Sequence, residues 1–235
     1  MFHANTIAAR GLHALNLKQY SYLNTLEKVG RIELNCPFSK QYILRMLIKQ
    51  PFGDFQFPTG CAWLKSFVEK CYQYQKNVVK IKHPFCYLTV RHGVVESIND
   101  DEWHVDGFSL NINHLPEQNY CWSNVYPTEY VQRTFEIPAD FDPSIYNIHL
   151  YFQDRIDGFE FIKRMRNNMI YCFDPYIVHR RPKIPNNVVR TFIRLSFCPI
   201  EIRDDNNTPN PLIELPKYNR DGIKDFRQNL IKYKY

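Results

Sequence analysis

At 235 residues the chain has room for one large domain, and its 44% hydrophobic content supplies a substantial core, which excludes an intrinsically disordered chain. Its 16 Tyr and 17 Phe against 8 Gly suit an aromatic, strand-rich interior better than a glycine-rich phosphate-binding fold. The formal charge of +6 comes from 30 basic and 24 acidic residues, with Lys217, Arg220, Lys224, Arg227, Lys232 and Lys234 clustered near the end. Such a tail reads as a solvated basic segment; it leaves nucleic acid open as a partner without selecting it.

In chain order, residues 1–37 are mixed. Pro37-Phe38-Ser39 then looks like a helix entry with Ser39 as cap, and Tyr42, Leu44, Leu47 and Ile48 predict a helix over Gln41–Gln50. Pro51-Phe52-Gly53 stops it, and Thr59 caps a second helical pattern carrying Trp63, Phe67, Val68 and Cys71. From Cys86 the texture changes. Cys86–Val95, Phe108–Asn113, Asn119–Val125, Tyr130–Ile137, Asn168–Phe173 and Val188–Pro199 are short and rich in β-branched and aromatic residues, which predicts strands. Asp142–Asp157 fits a helix better than a strand through Ile145, Ile148 and Phe152. The expectation is one mainly β domain with flanking helices: helical support in 1–85, a sandwich or jelly-roll core in 86–200 and a tail in 201–235.

Seven cysteines with no Cys-x-x-Cys spacing argue against a zinc-thiolate site, and reduced thiols fit a cytoplasmic protein. No apolar run approaches the roughly 18 residues of a membrane span, so no membrane partner is expected.

The sharpest local signal is Trp103-His104-Val105-Asp106-Gly107. On extended backbone, residues two apart project to one face, so His104 and Asp106 can converge on one divalent ion while Gly107 lets the chain turn away. A third ligand is available in His179, within Tyr176–Pro182. Two imidazoles and one carboxylate form a facial triad that leaves coordination positions open. Beyond His179, alternation along Val188–Phe197 places Arg190, Phe192, Arg194 and Ser196 on one face and an apolar set on the other. Arginines on an otherwise half-buried strand suit bidentate recognition of an anion.

The order His-x-Asp, distant His, then strand Arg resembles the Fe(II)/2-oxoglutarate-dependent dioxygenases over Cys86–Pro199, about half the chain. The resemblance implies a double-stranded β-helix (cupin-like jelly-roll) core, Fe(II) on His104, Asp106 and His179, and 2-oxoglutarate and dioxygen as cosubstrates. It implies hydroxylation of a C–H bond of a small molecule or side chain, with release of succinate and carbon dioxide. Arg190 and Arg194 lie eleven and fifteen positions past His179, and both spacings occur in the family. Arg190 is preferred for the far carboxylate of 2-oxoglutarate, while Arg194 with Ser196 matches an Arg-x-Ser alternative. Tyr120, Thr128 and Asn111 are candidates for the other end of the cosubstrate; Trp122 and Thr128 are candidates for substrate. Trp103, Trp122, Phe108 and Phe192 are candidate walls, each also explicable as core, and Asp174 is a candidate orienter of His179. Three other readings stay open: a non-catalytic cupin-like binder of metal or a small ligand, a metal-dependent hydrolase or isomerase using Glu102, and an oxygenase acting on a nucleobase.

Overall fold

The computed structural model describes residues 26–95, 102–106, 117–131, 135, 145–156, 162–173, 177–202, 204 and 206–213. The strand expected over Phe108–Asn113, with Asn111 and Phe108, lies outside them, as do Asp174 and the basic tail. Nine strands are described: β1 Glu27–Arg31, β2 Gln41–Lys49, β3 Phe85–Val94, β4 Gln118–Ser123, β5 Glu129–Val131, β6 Ile162–Arg164, β7 Met169–Phe173, β8 Val178–Arg180 and β9 Val189–Cys198. They form an antiparallel six-stranded sheet, β1-β7-β4-β9-β3-β2, and an antiparallel three-stranded sheet, β6-β5-β8. The fold is mainly β, as composition and strand texture predict.

The predicted helix over Gln41–Gln50 is instead strand β2, paired with β3. The reason lies in a bulge. Ile43 pairs with Val90 and Met46 with Leu88, so β2 carries one more residue than β3 across that step. The extra residue resets the alternation, and Ile43, Met46 and Ile48 all reach the same core. That uneven spacing imitates a helical stripe. Ser39 therefore caps nothing, and segment 1–85, expected to be helical support, contributes two strands to the main sheet.

The second helical pattern holds. A 3₁₀ turn at Thr59–Leu64 leads into α1, Lys65–Tyr74, and a π turn at Gln75–Val79 ends on Lys80 at φ 61°. Pro58, not Thr59, occupies the cap position, and no side chain caps the turn. Phe67, Val68 and Cys71 of α1, with Leu64 before it, are buried against one face of the large sheet. That face presents Ile48, Leu88, Val90, Tyr120, Trp122, Ile193, Leu195 and Phe197. Fully burying each such aliphatic or Phe side chain contributes about 1.5–3 kcal/mol, so the α1–sheet layer is the main hydrophobic store.

The opposite face of the large sheet meets the small one. Cys121, Tyr171, Phe173 and Phe192 of the large sheet cluster there with Tyr130, Met165 and Ile177. A second helix, α2 at Ile148–Ile156, confirms the helical reading of Asp142–Asp157. Its Ile148, Tyr151, Phe152 and Ile156 cluster with Val131, Val178, Trp103 and Val105. All seven cysteines are unbridged. No helix among the described residues is long and apolar enough to cross a membrane.

Candidate metal centre

His104 sits on no named strand but forms an antiparallel bridge to His179 of β8, closed by two backbone hydrogen bonds of 2.9 Å. The two histidines thus face each other across a ladder, with ring centroids 4.5 Å apart. Their row continues through Tyr130, the β5 partner of His179, toward the large sheet. Next to it runs a row of opposite facing: Arg164, Glu129 and Arg180 pair across β6, β5 and β8. Glu129 accepts hydrogen bonds from Arg164 Nη2 at 2.5 Å and from Arg180 Nε at 2.8 Å. The Arg180 guanidinium stacks 4.3 Å from the centre of the Trp103 ring. A charged and aromatic ladder therefore supports the strands whose alternate residues are the histidines.

Each imidazole is held by a backbone carbonyl. His104 Nδ1 lies 2.9 Å from the Glu102 oxygen, and His179 Nδ1 lies 2.8 Å from that of Ile177. A carbonyl only accepts, so the proton sits on Nδ1 in both rings and the Nε2 lone pairs are left outward. Burial and the neighbouring His104 push His179 down to about 4, against the pull of Asp106, so it is neutral at pH 7. The Asp106 carboxylate completes the group, with Oδ2 3.5 Å from His179 Nε2. Ligand atoms of His104, Asp106 and His179 all lie within 4.8 Å of one another. Two imidazoles oriented by backbone carbonyls plus one carboxylate fit a first-row divalent ion. The three residues expected to converge do so.

Arg194 dominates the surroundings of Asp106. Its Nη1 donates to both carboxylate oxygens, each at 2.7 Å, while its buried Nε has no hydrogen-bond partner among the described residues. Burial alone would raise the Asp106 carboxyl, but Arg194, His179, His104 and Arg45 outweigh it and hold the group well below the usual carboxylate range. Asp106 is accordingly ionised and oriented before any ion arrives.

Arg190 is buried four residues away and differently engaged. Its Nε donates to the carbonyls of Val125 and Tyr126 at 3.3 and 3.1 Å, and its guanidinium lies over Phe192. Burial and the nearby Arg181 and Arg91 lower it to about 10, so it stays charged at neutral pH. The alternation expected along β9 is borne out, with Ile193, Leu195 and Phe197 in the α1-side core and Arg194 facing Asp106. Ser196 is also on the inner face, and its hydroxyl donates to Asn119 Oδ1 at 2.5 Å.

Two candidates are corrected. Tyr120 pairs with Leu195 and points to the α1 side, where its hydroxyl donates to Gln75 Oε1 at 2.8 Å. Trp122 pairs with Ile193 on that same face and donates Nε1–H to the Ile32 carbonyl. Neither reaches the metal-side face, because strand parity sends residue 121, not 120 or 122, toward Arg194. Trp103 is fully buried beneath Arg180, in the cluster around α2. Thr128 is buried at the start of β5, its carbonyl receiving the Met165 N–H. Glu102 contributes its carbonyl to His104, and the residue is otherwise exposed.

No protein-family model matches the chain, and no curated protein matches it. Among solved structures it is similar to HygX from Streptomyces hygroscopicus with nickel and 2-oxoglutarate bound, at 10% identity and a TM-score of 0.41, over 71% of this chain and 72% of that one. AviO1 from Streptomyces viridochromogenes Tue57 aligns at 14% identity and a TM-score of 0.38, over 77% of this chain and 76% of that one. HygX with iron bound aligns at 11% identity and a TM-score of 0.37, over 68% and 72%.

Sequence reasoning missed several residues around the centre. Arg45 sits in the bulge of a strand mistaken for a helix; Tyr130 and Cys121 look like ordinary strand residues. Glu129 follows Pro127-Thr128 as an acid in a turn would, and only the ladder places it between two arginines.

Proposed function

We propose that this chain is a non-haem Fe(II)/2-oxoglutarate-dependent oxygenase on a double-stranded β-helix core, hydroxylating a C–H bond of a small-molecule or side-chain substrate. The observation that carries this reading is the pair of carbonyl-fixed imidazoles facing one pre-ionised carboxylate. His104, Asp106 and His179 would hold the iron, leaving its remaining positions to cosubstrates. Bound iron supplies the redox chemistry with dioxygen; the protein supplies position and shielding. The Glu102 and Ile177 carbonyls keep the Nε2 lone pairs available, and Arg194 keeps Asp106 oriented. Phe173, whose ring lies 5.5 Å from that of His179, and Tyr130 limit water on the inner side. Arg190 is the buried cation suited to the far carboxylate of 2-oxoglutarate, since Arg194 already serves Asp106.

The test is anaerobic titration with Fe(II) and 2-oxoglutarate, followed by oxygen and a succinate assay. A visible charge-transfer band and succinate are expected in the wild type. His104→Ala, Asp106→Ala and His179→Ala should each abolish the band, and Arg190→Met should raise the 2-oxoglutarate requirement at least tenfold. A larger effect of Arg194→Met on that requirement reverses the assignment of the arginines. The hold of Arg194 on both Asp106 oxygens favours one second reading, a non-catalytic cupin-like binder whose carboxylate the protein itself neutralises. That reading predicts metal binding without succinate.

A further inference from the structure

Beyond Arg194 the inner face of the large sheet carries a second set of charges, none of them among the three ligands. Glu117, just before β4, accepts from Asn119 Nδ2 at 3.2 Å and from the Cys198 thiol at 3.5 Å. Asn119 in turn is held by Ser196. Across from Glu117 stands Arg45, its Nη2 3.8 Å from Glu117 Oε1. That separation is an ion pair but too long for a hydrogen bond. Both side chains keep a sliver of solvent contact, 20% for Arg45 and 12% for Glu117. Arg45 follows Leu44 in the β2 bulge beside Thr89, the register partner of the Arg194 that grips Asp106, which places the pair beside the metal ligands.

The backbone goes out of its way to put Arg45 there. It sits in the β2 bulge at φ 42°, a conformation that side-chain-bearing residues rarely adopt, with its N–H donating to Thr89 Oγ1. Thr89 is the β3 partner of Arg194. Strain of this kind persists where surrounding structure enforces it, and it concentrates at ligand sites. An arginine and a glutamate, side by side, partly open and not hydrogen-bonded to each other, match a ligand bearing both charges on adjacent groups.

The geometry points to Arg45 and Glu117 as the head-group subsite for a zwitterionic, α-amino-acid-like substrate, the carboxylate on Arg45 and the ammonium on Glu117. In such a molecule the two charges share one carbon, so a single head group spans the pair while the rest extends toward Asp106. The inference rests on the oxygenase reading for its chemistry, but not for binding.

The experiment is calorimetric titration of the full chain with the standard L-amino acids. Any that bind are then compared with the matching amine lacking the carboxylate and with the N-acetyl derivative. At least one amino acid should bind, and either change should weaken it tenfold or more. Arg45→Met should erase the preference for acid over amine, Arg45→Lys should keep it, and Glu117→Gln should erase the preference for free over acetylated nitrogen. All three variants should stay folded by circular dichroism, and Glu117→Gln, which lies outside the three ligands, should keep the iron–2-oxoglutarate band unchanged. No binding by any amino acid, or binding indifferent to both sites, overturns the subsite. A tenfold loss of 2-oxoglutarate affinity in Arg45→Met also overturns it, since Arg45 would then serve the cosubstrate. Absence of the band in the wild type sinks the oxygenase reading alone, because amino-acid binding is measured without it.

Discussion

Arg194→Met tests the electrostatic account of the metal centre most directly. The substitution keeps an unbranched side chain of similar length and removes the cation that bonds both oxygens of Asp106. Breaking a buried ion pair on one side costs about 3–5 kcal/mol, because the remaining charge is left buried and uncompensated. Arg194 and Asp106 keep 16% and 11% of their side-chain exposure, so some solvent screening remains and the lower end, about 3 kcal/mol, applies. Loss of the unpartnered Arg194 Nε adds nothing to this cost. For a chain of this size about 3 kcal/mol lowers the melting temperature by roughly 6–12 °C. The assay is thermal melting of metal-free wild type, Arg194→Met, Asp106→Asn and the double variant. The double variant should recover part of the loss, giving a coupling energy of the pair. Added Co(II) should raise the melting temperature more in Arg194→Met than in wild type, since the ion then supplies the missing positive charge. A single variant melting within about 2 °C of wild type, or a cycle with no coupling, would refute the reasoning.

Glu129 titrates with a predictable sign. Burial raises its carboxyl, but hydrogen bonds from Arg164 and Arg180 outweigh that and leave it lowered, so its stabilisation is present above the ordinary carboxylate range and lost as pH falls through the folded value. Glu129→Gln should therefore reduce stability at pH 7 and flatten the acid limb of a stability–pH profile; an unchanged limb removes Glu129 as its source. Tyr120→Phe should cost about 1–3 kcal/mol by leaving Gln75 Oε1 with no hydroxyl donor, while metal affinity stays at the wild-type value. Altered metal affinity would return Tyr120 to the site. Phe67→Ala, which empties a fully buried position between α1 and the large sheet, should cost about 3–5 kcal/mol in denaturant unfolding.

Much of the metal-side strand was legible from residue order. His104, in its bridge to His179, and Asp106, in a turn two residues on, bring their ligand atoms together, and Arg194 lies an even number of places from Arg190, so reasoning from spacing groups each pair correctly. The same reasoning, applied to β4, could not tell which parity faced the metal. Tyr120 and Trp122 share a face as expected, but pairing with Leu195 and Ile193 turns that face toward α1.

Local order therefore determined β3, β4, β7 and β9, the three convergent ligands and the polar face of β9, because alternation and ligand type are properties of neighbours along the chain; the three-residue strands β6 and β8 are too short to show a period of their own. Tertiary structure alone decided that Gln41–Lys49 is a strand, since its bulge disguises the two-residue period until β3 supplies the partner ladder. It alone decided that Arg194, rather than Arg190, grips Asp106, and that Arg45 stands beside Glu117. Those contacts join residues 88 and 72 positions apart, and no periodicity reaches across such distances; the strand order of the large sheet and the packing of the small sheet on it fix them.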